Sequence, residues 1–401
     1  MKQKTNALKS SYISKVALAI IITLVVFCSR KNEFEKGISA VQKGDYGEAV
    51  KALETALKTD TLNPEIYFNL SLSYAHQDST VKSFKHYLKL VELDTTVKFK
   101  NNGPLREMLA TFLKIDPYTW KPIPMKMMNQ FKGALSPDGK MIAIAAAKSD
   151  VANIYLTEIN GKVIKKLTVS GMNTDPDFSP AGDKIIFVSN ADGDDELYTY
   201  DIKTKELIQI TENTAQDFSP AFSPDGKEVV FVSNMDDPYK WEIYKINIEK
   251  KKAKRLTKNN YWDGFPKFSS DGQSIVFSSK RNGSENIYIM SKNGGSEKIL
   301  YQSDADDNDP LLTGQTLYFK SNRDGEWEIY RFDLKNKKLF RLTYNSLPDW
   351  NPRLSSDGTK IIVSRKIKKR WSLYYIDFND PVSADILTSR IEKIIHLQKK
   401  S

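Results

Sequence analysis

The chain has 401 residues, 60 Lys and Arg against 50 Asp and Glu, a formal charge of +10, and one cysteine. This length holds two or three domains, and a single cysteine excludes an intramolecular disulfide. Lysine is spread over every segment, and no arginine-rich arm, zinc finger or RNA-binding aromatic signature is present, so nucleic acid is set aside as a partner.

Lys2, Lys4, Lys9 and Lys15 precede an apolar run from Val16 to Phe27 that ends on Cys28. A basic start followed by a short apolar run is a secretory signal, and the run falls short of the roughly 20 apolar residues a membrane span needs. The lone cysteine, followed by polar Ser29-Arg30-Lys31, resembles a bacterial lipoprotein signal, in which the cysteine is lipidated and begins the mature chain. Val25 and Phe27 stand where such signals hold Leu and a small residue. An uncleaved signal anchor and a secreted form therefore remain open, and all three place the body outside the cytoplasm.

From Glu33 to about Pro117 the pattern is helical. Phe34, Ile38 and Val41 mark one apolar face, and Ala49, Leu53, Ala56 and Leu57 the next. After Asn63-Pro64, Tyr67, Leu70 and Tyr74 begin a third helix, and Phe84, Tyr87, Leu88 and Leu90 mark a fourth. Small Gly37 and Ser71 are 34 residues apart, as are Ala40 and Tyr74, and Ala49 and Ser83. A 34-residue helix-turn-helix period resembles the tetratricopeptide repeat. Two such units bury little core, so the segment requires a cap or the neighbouring domain. Residues 104–115 are a candidate capping helix.

From Gln130 onward the turn glycines Gly139, Gly182, Gly226, Gly272, Gly314 and Gly358 recur every 42 to 46 residues. An apolar-Tyr pair keeps the same phase: Tyr155, Tyr198, Tyr244, Tyr288, Tyr330 and Tyr374. Thr168, Thr211, Thr257, Thr343 and Thr388 close most repeats after Leu or Ile; the one that departs has Leu300-Tyr301. Six in-phase units of four short strands predict a six-bladed β-propeller. Asp-Gly supplies the positive φ of the hairpin turn, and runs such as residues 184–189 are buried middle strands.

The phrase Asp217-Phe-Ser-Pro-Ala-Phe-Ser-Pro-Asp-Gly226, then an apolar strand, Glu242-Ile-Tyr244 and Leu256-Thr257, resembles the TolB-type propeller repeat. The resemblance covers all six units and implies a protein-binding part in the cell envelope. The chain thus reads as multidomain, α-helical tetratricopeptide-like hairpins followed by an all-β six-bladed propeller. A signal spans 1–27, a linker 28–32, helical repeats 33–116, a linker 117–129, the propeller 130–388, and a tail or short helix 389–401.

Chemistry is sparse. His76, His86 and His396 lie outside the β array, and no Gly-x-Ser-x-Gly elbow or Cys/His metal cluster exists. No catalytic residue, metal or cofactor is expected. Acidic runs at Asp192, Asp194, Asp195 and Glu196, and at Asp304, Asp306, Asp307 and Asp309, fit ordinary turn chemistry and match no full calcium loop. Aligning the blades brings out one series at the start of each inner strand: Gln130, Asn173, Asp217, Asp263, Asp307 and Asp349. If inner strands line the channel, these form an acidic collar at its mouth, a socket for a cationic segment or polar ligand; the alternative is that each caps its own loop. Trp262, Phe265 and Trp350 stand beside it as candidate aromatic contacts. The expected function is that of a non-enzymatic envelope lipoprotein, anchored through Cys28 or a signal anchor, which binds other envelope proteins. A calcium-dependent lactonase or esterase using the channel, and a glycan or peptidoglycan binder, are the alternatives.

Overall fold

The computed structural model describes residues 32–398 except 97, 101, 126, 127, 150 and 169. Two compact units divide the chain. Residues up to Lys114 and from Val382 onward form one, and Ile115–Pro381 the other.

The first unit is helical. Helix α1 (32–43) is followed by α2 (Tyr46–Leu57), α3 (Pro64–His76), α4 (Thr80–Leu93) and α5 (Gly103–Leu113). Asp45, Asn63 and Asn102 cap α2, α3 and α5 with side-chain oxygens that accept backbone N–H groups. Ala40, Ala49, Leu53, Ala56, Ile66, Leu70 and Tyr74 form one apolar core, the two faces anticipated from spacing. Gly37 is needed where α1 crosses α2: a Cβ there would stand 2.6 Å from Leu53 Cγ. At the equivalent crossing of α3 and α4, serine replaces glycine. Ser71 Oγ donates to Ser83 O at 3.0 Å, and Ser83 Oγ donates to Ser71 O at 2.8 Å, so both buried hydroxyls are satisfied.

The anticipated cap for this short stack includes the last helix of the chain. Helix α6 (Ala384–Gln398) packs on α4 and α5, with Leu387 and Ile391 buried, and Arg106 of α5 donates to Val382 O. Residues 384–388 were expected within the propeller. They are helical instead, and Thr388 therefore does not close the sixth blade.

The second unit is the six-bladed propeller, six four-stranded antiparallel sheets. In chain order the blades are β2–β5 (residues 129–166), β6–β9 (173–209), β10–β13 (217–255), β14–β17 (263–301), β18–β21 (307–341) and β22–β24 (349–377). The sixth blade takes its outer strand from the start of the unit. Strand β1 (Lys121–Pro122), in the stretch read as a linker, pairs with β24, and Ile123 N donates to Leu373 O at 2.9 Å. Without it β24 would present an unpaired edge. Apolar clusters sit between blades; one joins Ala143 and Ile154 of the first blade to Ile185 and Phe187 of the second. The recurring Thr has a defined task. Thr168, Thr211, Thr257 and Thr343 each accept, through Oγ1, the N–H of Ile154, Leu197, Ile243 and Ile329 respectively, at 2.9 to 3.0 Å.

Candidate functional site

The inner strands position the site, and each contains a repeated kink. In blades two to six the residue before the inner-strand proline has a left-handed backbone: Asp175, Ser219, Phe265, Asp309 and Asn351, with φ between 51 and 55°. Antiparallel register shifts at the same place, between Thr174 and Asp177, Phe218 and Ala221, Gly264 and Lys267, Asn308 and Leu311, and Trp350 and Arg353. This is a β-bulge, which re-aims side chains at a strand.

The bulge decides what faces the channel. Asn173, Asp217, Asp263, Asp307 and Asp349 are buried, at most 1% exposed, and turn into the seams between and within blades. Asp263 accepts Asn259 Nδ2 at 2.7 Å and Arg281 Nη2 at 2.8 Å. Asp307 accepts Ser303 Oγ and Arg323 Nη2, both at 2.6 Å, and Asp349 is held by Asn345 and by Arg365 through two nitrogens. Asp217 accepts Asn213 Nδ2 at 3.1 Å. Asn173 donates to Ala152 O, Ser170 O and Gly171 O. Gln130, the sixth of the series, stitches the ring closed: Oε1 accepts from Leu373 N at 2.8 Å and Nε2 donates to Ile123 O at 3.0 Å. The expected open collar at the channel mouth is therefore replaced by a set of internal struts, because buried carboxylates require partners.

Residues two and four positions downstream border the channel. Lys132 pairs with Asp175 of the next blade, and Arg353 Nη1 donates to Asp309 Oδ1 of the preceding one at 2.8 Å. Lys267 Nζ reaches Pro220 O at 3.5 Å, and burial together with Arg353 pushes its pKa down to about 8. The Lys132 cation holds the Asp175 carboxyl below its ordinary range against the opposing effect of burial.

Two cavities open on these side chains. One, of about 350 Å³, lies where the inner strands end and takes residues from all six blades, with Pro137, Pro180, Pro224, Phe178, Phe222 and Phe268 among its walls. The other, of about 300 Å³, lies where the strands of blades three and four begin, lined by Phe218, Trp241, Trp262 and Phe265 above Lys132 and Asp175. Trp262 and Phe265 thus meet at one cavity. Trp350 does not join them: it meets Trp327 at a tilt and Trp371 edge-on, centroids 5.7 and 5.8 Å away. Cys28 lies outside the described residues.

One residue the sequence reading missed is Lys320. It is 1% exposed, its Nζ lies 3.9 Å from the Trp350 ring centroid and 4.9 Å from that of Trp327, and burial pushes its pKa down to about 8. The available signal was a charge in a middle strand: Phe319-Lys320-Ser321 stands where other blades read Phe187-Val188-Ser189 and Phe231-Val232-Ser233. Among the described residues, no helix is long and apolar enough to cross a membrane, and no group of three or more His, Cys, Asp or Glu converges as a metal site.

The kinked inner strands, the Ser-Pro-Asp-Gly turns and the velcro-closed ring define a TolB-type propeller. The model of the TolB β-propeller domain matches residues 123–211, 194–313 and 240–393, together more than half of the chain, and a tetratricopeptide repeat matches 39–78. The chain belongs to the TolB β-propeller family. It is similar to the Tol-Pal system protein TolB of Francisella tularensis subsp. tularensis, 32% identical over 74 residues, 18% of this chain and 17% of that one. The chain thus matches about a sixth of the length of that curated relative. Among solved structures, TolB from Acinetobacter baumannii is 21% identical with a TM-score of 0.47, covering 65% of each chain. The tricorn protease is 19% identical with a TM-score of 0.50, covering 65% of this chain and 26% of that one.

Proposed function

We propose that this protein is a non-enzymatic adaptor of the cell envelope, anchored through Cys28, that binds other envelope proteins through the helical unit and the proline-rimmed mouth of the propeller. The observation that carries the reading is the joining of a tetratricopeptide repeat to a TolB-type propeller in one chain. Short helical repeats present protein-binding surfaces. The mouth adds apolar surface: Pro180 and Pro224 are exposed on turns fixed by Gly182 N to Ser179 O and Gly226 N to Ser223 O bonds of 2.8 Å. Rigid apolar turns lose little entropy on docking. The ion pairs Lys132–Asp175 and Arg353–Asp309 occupy four charged groups of the channel with one another. The N-terminal pattern ending at Cys28 supports an envelope location. The test is photo-crosslinking in intact cells from Pro180 and Pro224, each replaced by a photoreactive residue. The reading expects discrete adducts with an envelope protein; a chain that yields no adduct from either position contradicts it. Separately, Cys28→Ser is expected to release the protein from membranes, and unchanged retention contradicts the lipid anchor.

A further inference from the structure

The cavity at blades three and four has features that protein docking at the other mouth does not use. Four aromatic rings from adjacent blades wall it. Trp262 meets Phe265 edge-on, centroids 5.6 Å apart at 68°, and Phe218 meets Trp241 at 5.6 Å and 44°. The backbone is shaped to hold these rings. A Cβ at Gly264 would stand 2.3 Å from Trp262 Cζ2, so the indole lies directly over a residue that has no side chain. The equivalent residues of the neighbouring blades are Phe218 and Asn308. Phe265 keeps the left-handed φ of 51° that its counterparts fill with Asp, Ser or Asn. Such a backbone is unfavourable for a bulky residue, and strain of this kind collects at binding sites.

The floor is polar but self-neutralised. The Asp175 side chain is 4% exposed and the Lys132 side chain 26%, and they pair with each other. Ser219 lines the same cavity. Three classes of guest can be weighed against this arrangement. A cation gains from ring faces, but Lys132 already neutralises the carboxylate, and Arg353 and Lys267 add positive charge around it. A purely apolar guest would strip water from an ion pair and give nothing back. A neutral sugar ring satisfies both surfaces. Its C–H face, weakly positive, lies on the negative face of an indole, while its hydroxyls donate to a carboxylate and accept from an ammonium. The volume of about 300 Å³ suits a guest of one ring.

We propose that this cavity binds a neutral pyranose, stacked on Trp262 and held at its hydroxyls by Asp175 and Lys132. The ring is either a free monosaccharide or the end of a neutral glycan chain.

The test uses the full chain and four probes: methyl glucoside, methyl galactoside, N-acetylglucosamine and its β-1,4-linked trimer, with galacturonate and glucosamine as charged controls. Binding is read by tryptophan fluorescence and by saturation transfer from indole protons to sugar C–H protons. At least one neutral probe is expected to give a saturable response below about 50 mM, the weak range typical of one small ring. A monosaccharide response identifies a free-sugar site, whereas a response confined to the trimer identifies a chain-end site; both uphold the proposal. Trp262→Ala is expected to weaken binding at least tenfold, and Gly264→Ala, which displaces the indole and removes no functional group, to do the same. Melting temperature checks that each variant folds. If either variant does not fold, Trp262→Phe takes its place, since the chain has six tryptophans and only substitution assigns the site; weakened binding is expected, and unchanged binding in the folded variant overturns the proposal. Absence of a saturable response to every neutral probe, a response to the charged controls alone, or binding unchanged in folded Trp262→Ala would each overturn the proposal.

Discussion

The seam between blades two and three and the seam between blades three and four occupy equivalent places and balance charge differently. In the latter, buried Glu242 accepts from Arg255 Nη2 and from Asn259 N, both at 2.8 Å, and from Thr257 Oγ1 at 2.6 Å, while Asp263 accepts from Arg281. In the former, Glu196 accepts from Asn213 N at 2.6 Å and Asp217 from Asn213 Nδ2. No arginine is present there. Gln209 pairs with Tyr198 where Arg255 pairs with Tyr244, and Met235 stands two residues after Ser233 as Arg281 stands two after Ser279. Burial then dominates: it raises the Glu196 pKa to about 7 and the Asp217 pKa above its ordinary value. Burial raises the Asp263 pKa as well, so the two seams differ in partners and not in the direction of the shift: a guanidinium offsets part of the burial cost in one and is missing from the other.

The largest effect comes from removing the guanidinium. Arg281→Met leaves Asp263 buried with one partner fewer and is expected to destabilise the protein by about 3 kcal/mol in chemical denaturation. A change within about 0.5 kcal/mol would show that the arginine is dispensable. The next effect depends on pH. Glu196 holds its proton in the folded state up to about pH 7, whereas the unfolded chain releases it near the ordinary value of 4.5. Stability from this group is therefore fully present below pH 4.5 and lost as pH rises to about 7. Glu196→Gln is expected to flatten that decline by on the order of 1 kcal/mol between pH 5 and 8; parallel curves for variant and parent would contradict the retained proton. The smallest effect is a gain. Met235→Arg imports the missing cation and is expected to stabilise by about 1 kcal/mol at pH 8 and by less at pH 5, where the pair still shares a proton. Equal effects at both values would separate the gain from the carboxylates.

Much of the propeller was legible because it repeats. Thr168, Thr211, Thr257 and Thr343, and buried Tyr residues such as Tyr244 and Tyr330, recur because these blades need the same bond and the same filling. The first strand was not legible, since Lys121–Pro122 is two residues long and carries no period. The collar was found as a series but assigned to the wrong surface. Two-residue alternation relates Asp217 to Ser219 and Ala221 on one face, yet the left-handed turn at Ser219 inserts a bulge and sends the carboxylate into a seam. Asp175 and Asp309 share one column of the aligned repeats and Lys267 and Arg353 another, but the other blades place Ser219, Phe265 and Asn351 in the first and Asp177, Ala221 and Leu311 in the second, so neither column keeps one chemistry. Trp262 and Phe265 were singled out for proximity to the collar, and it is Gly264 between them that gives the indole its place.

Seams that carry stability and mouths that carry recognition should separate under mutation. The most direct test is the yield of the envelope partner crosslinked in cells, compared for Arg281→Met and for the double variant Pro180→Glu/Pro224→Glu, each with its photoreactive residue placed at Phe268, at a temperature where both are folded. Near-parental yield for Arg281→Met and loss of the adduct for the double variant is the predicted result. Loss of the adduct in Arg281→Met together with its retention in the double variant would contradict it.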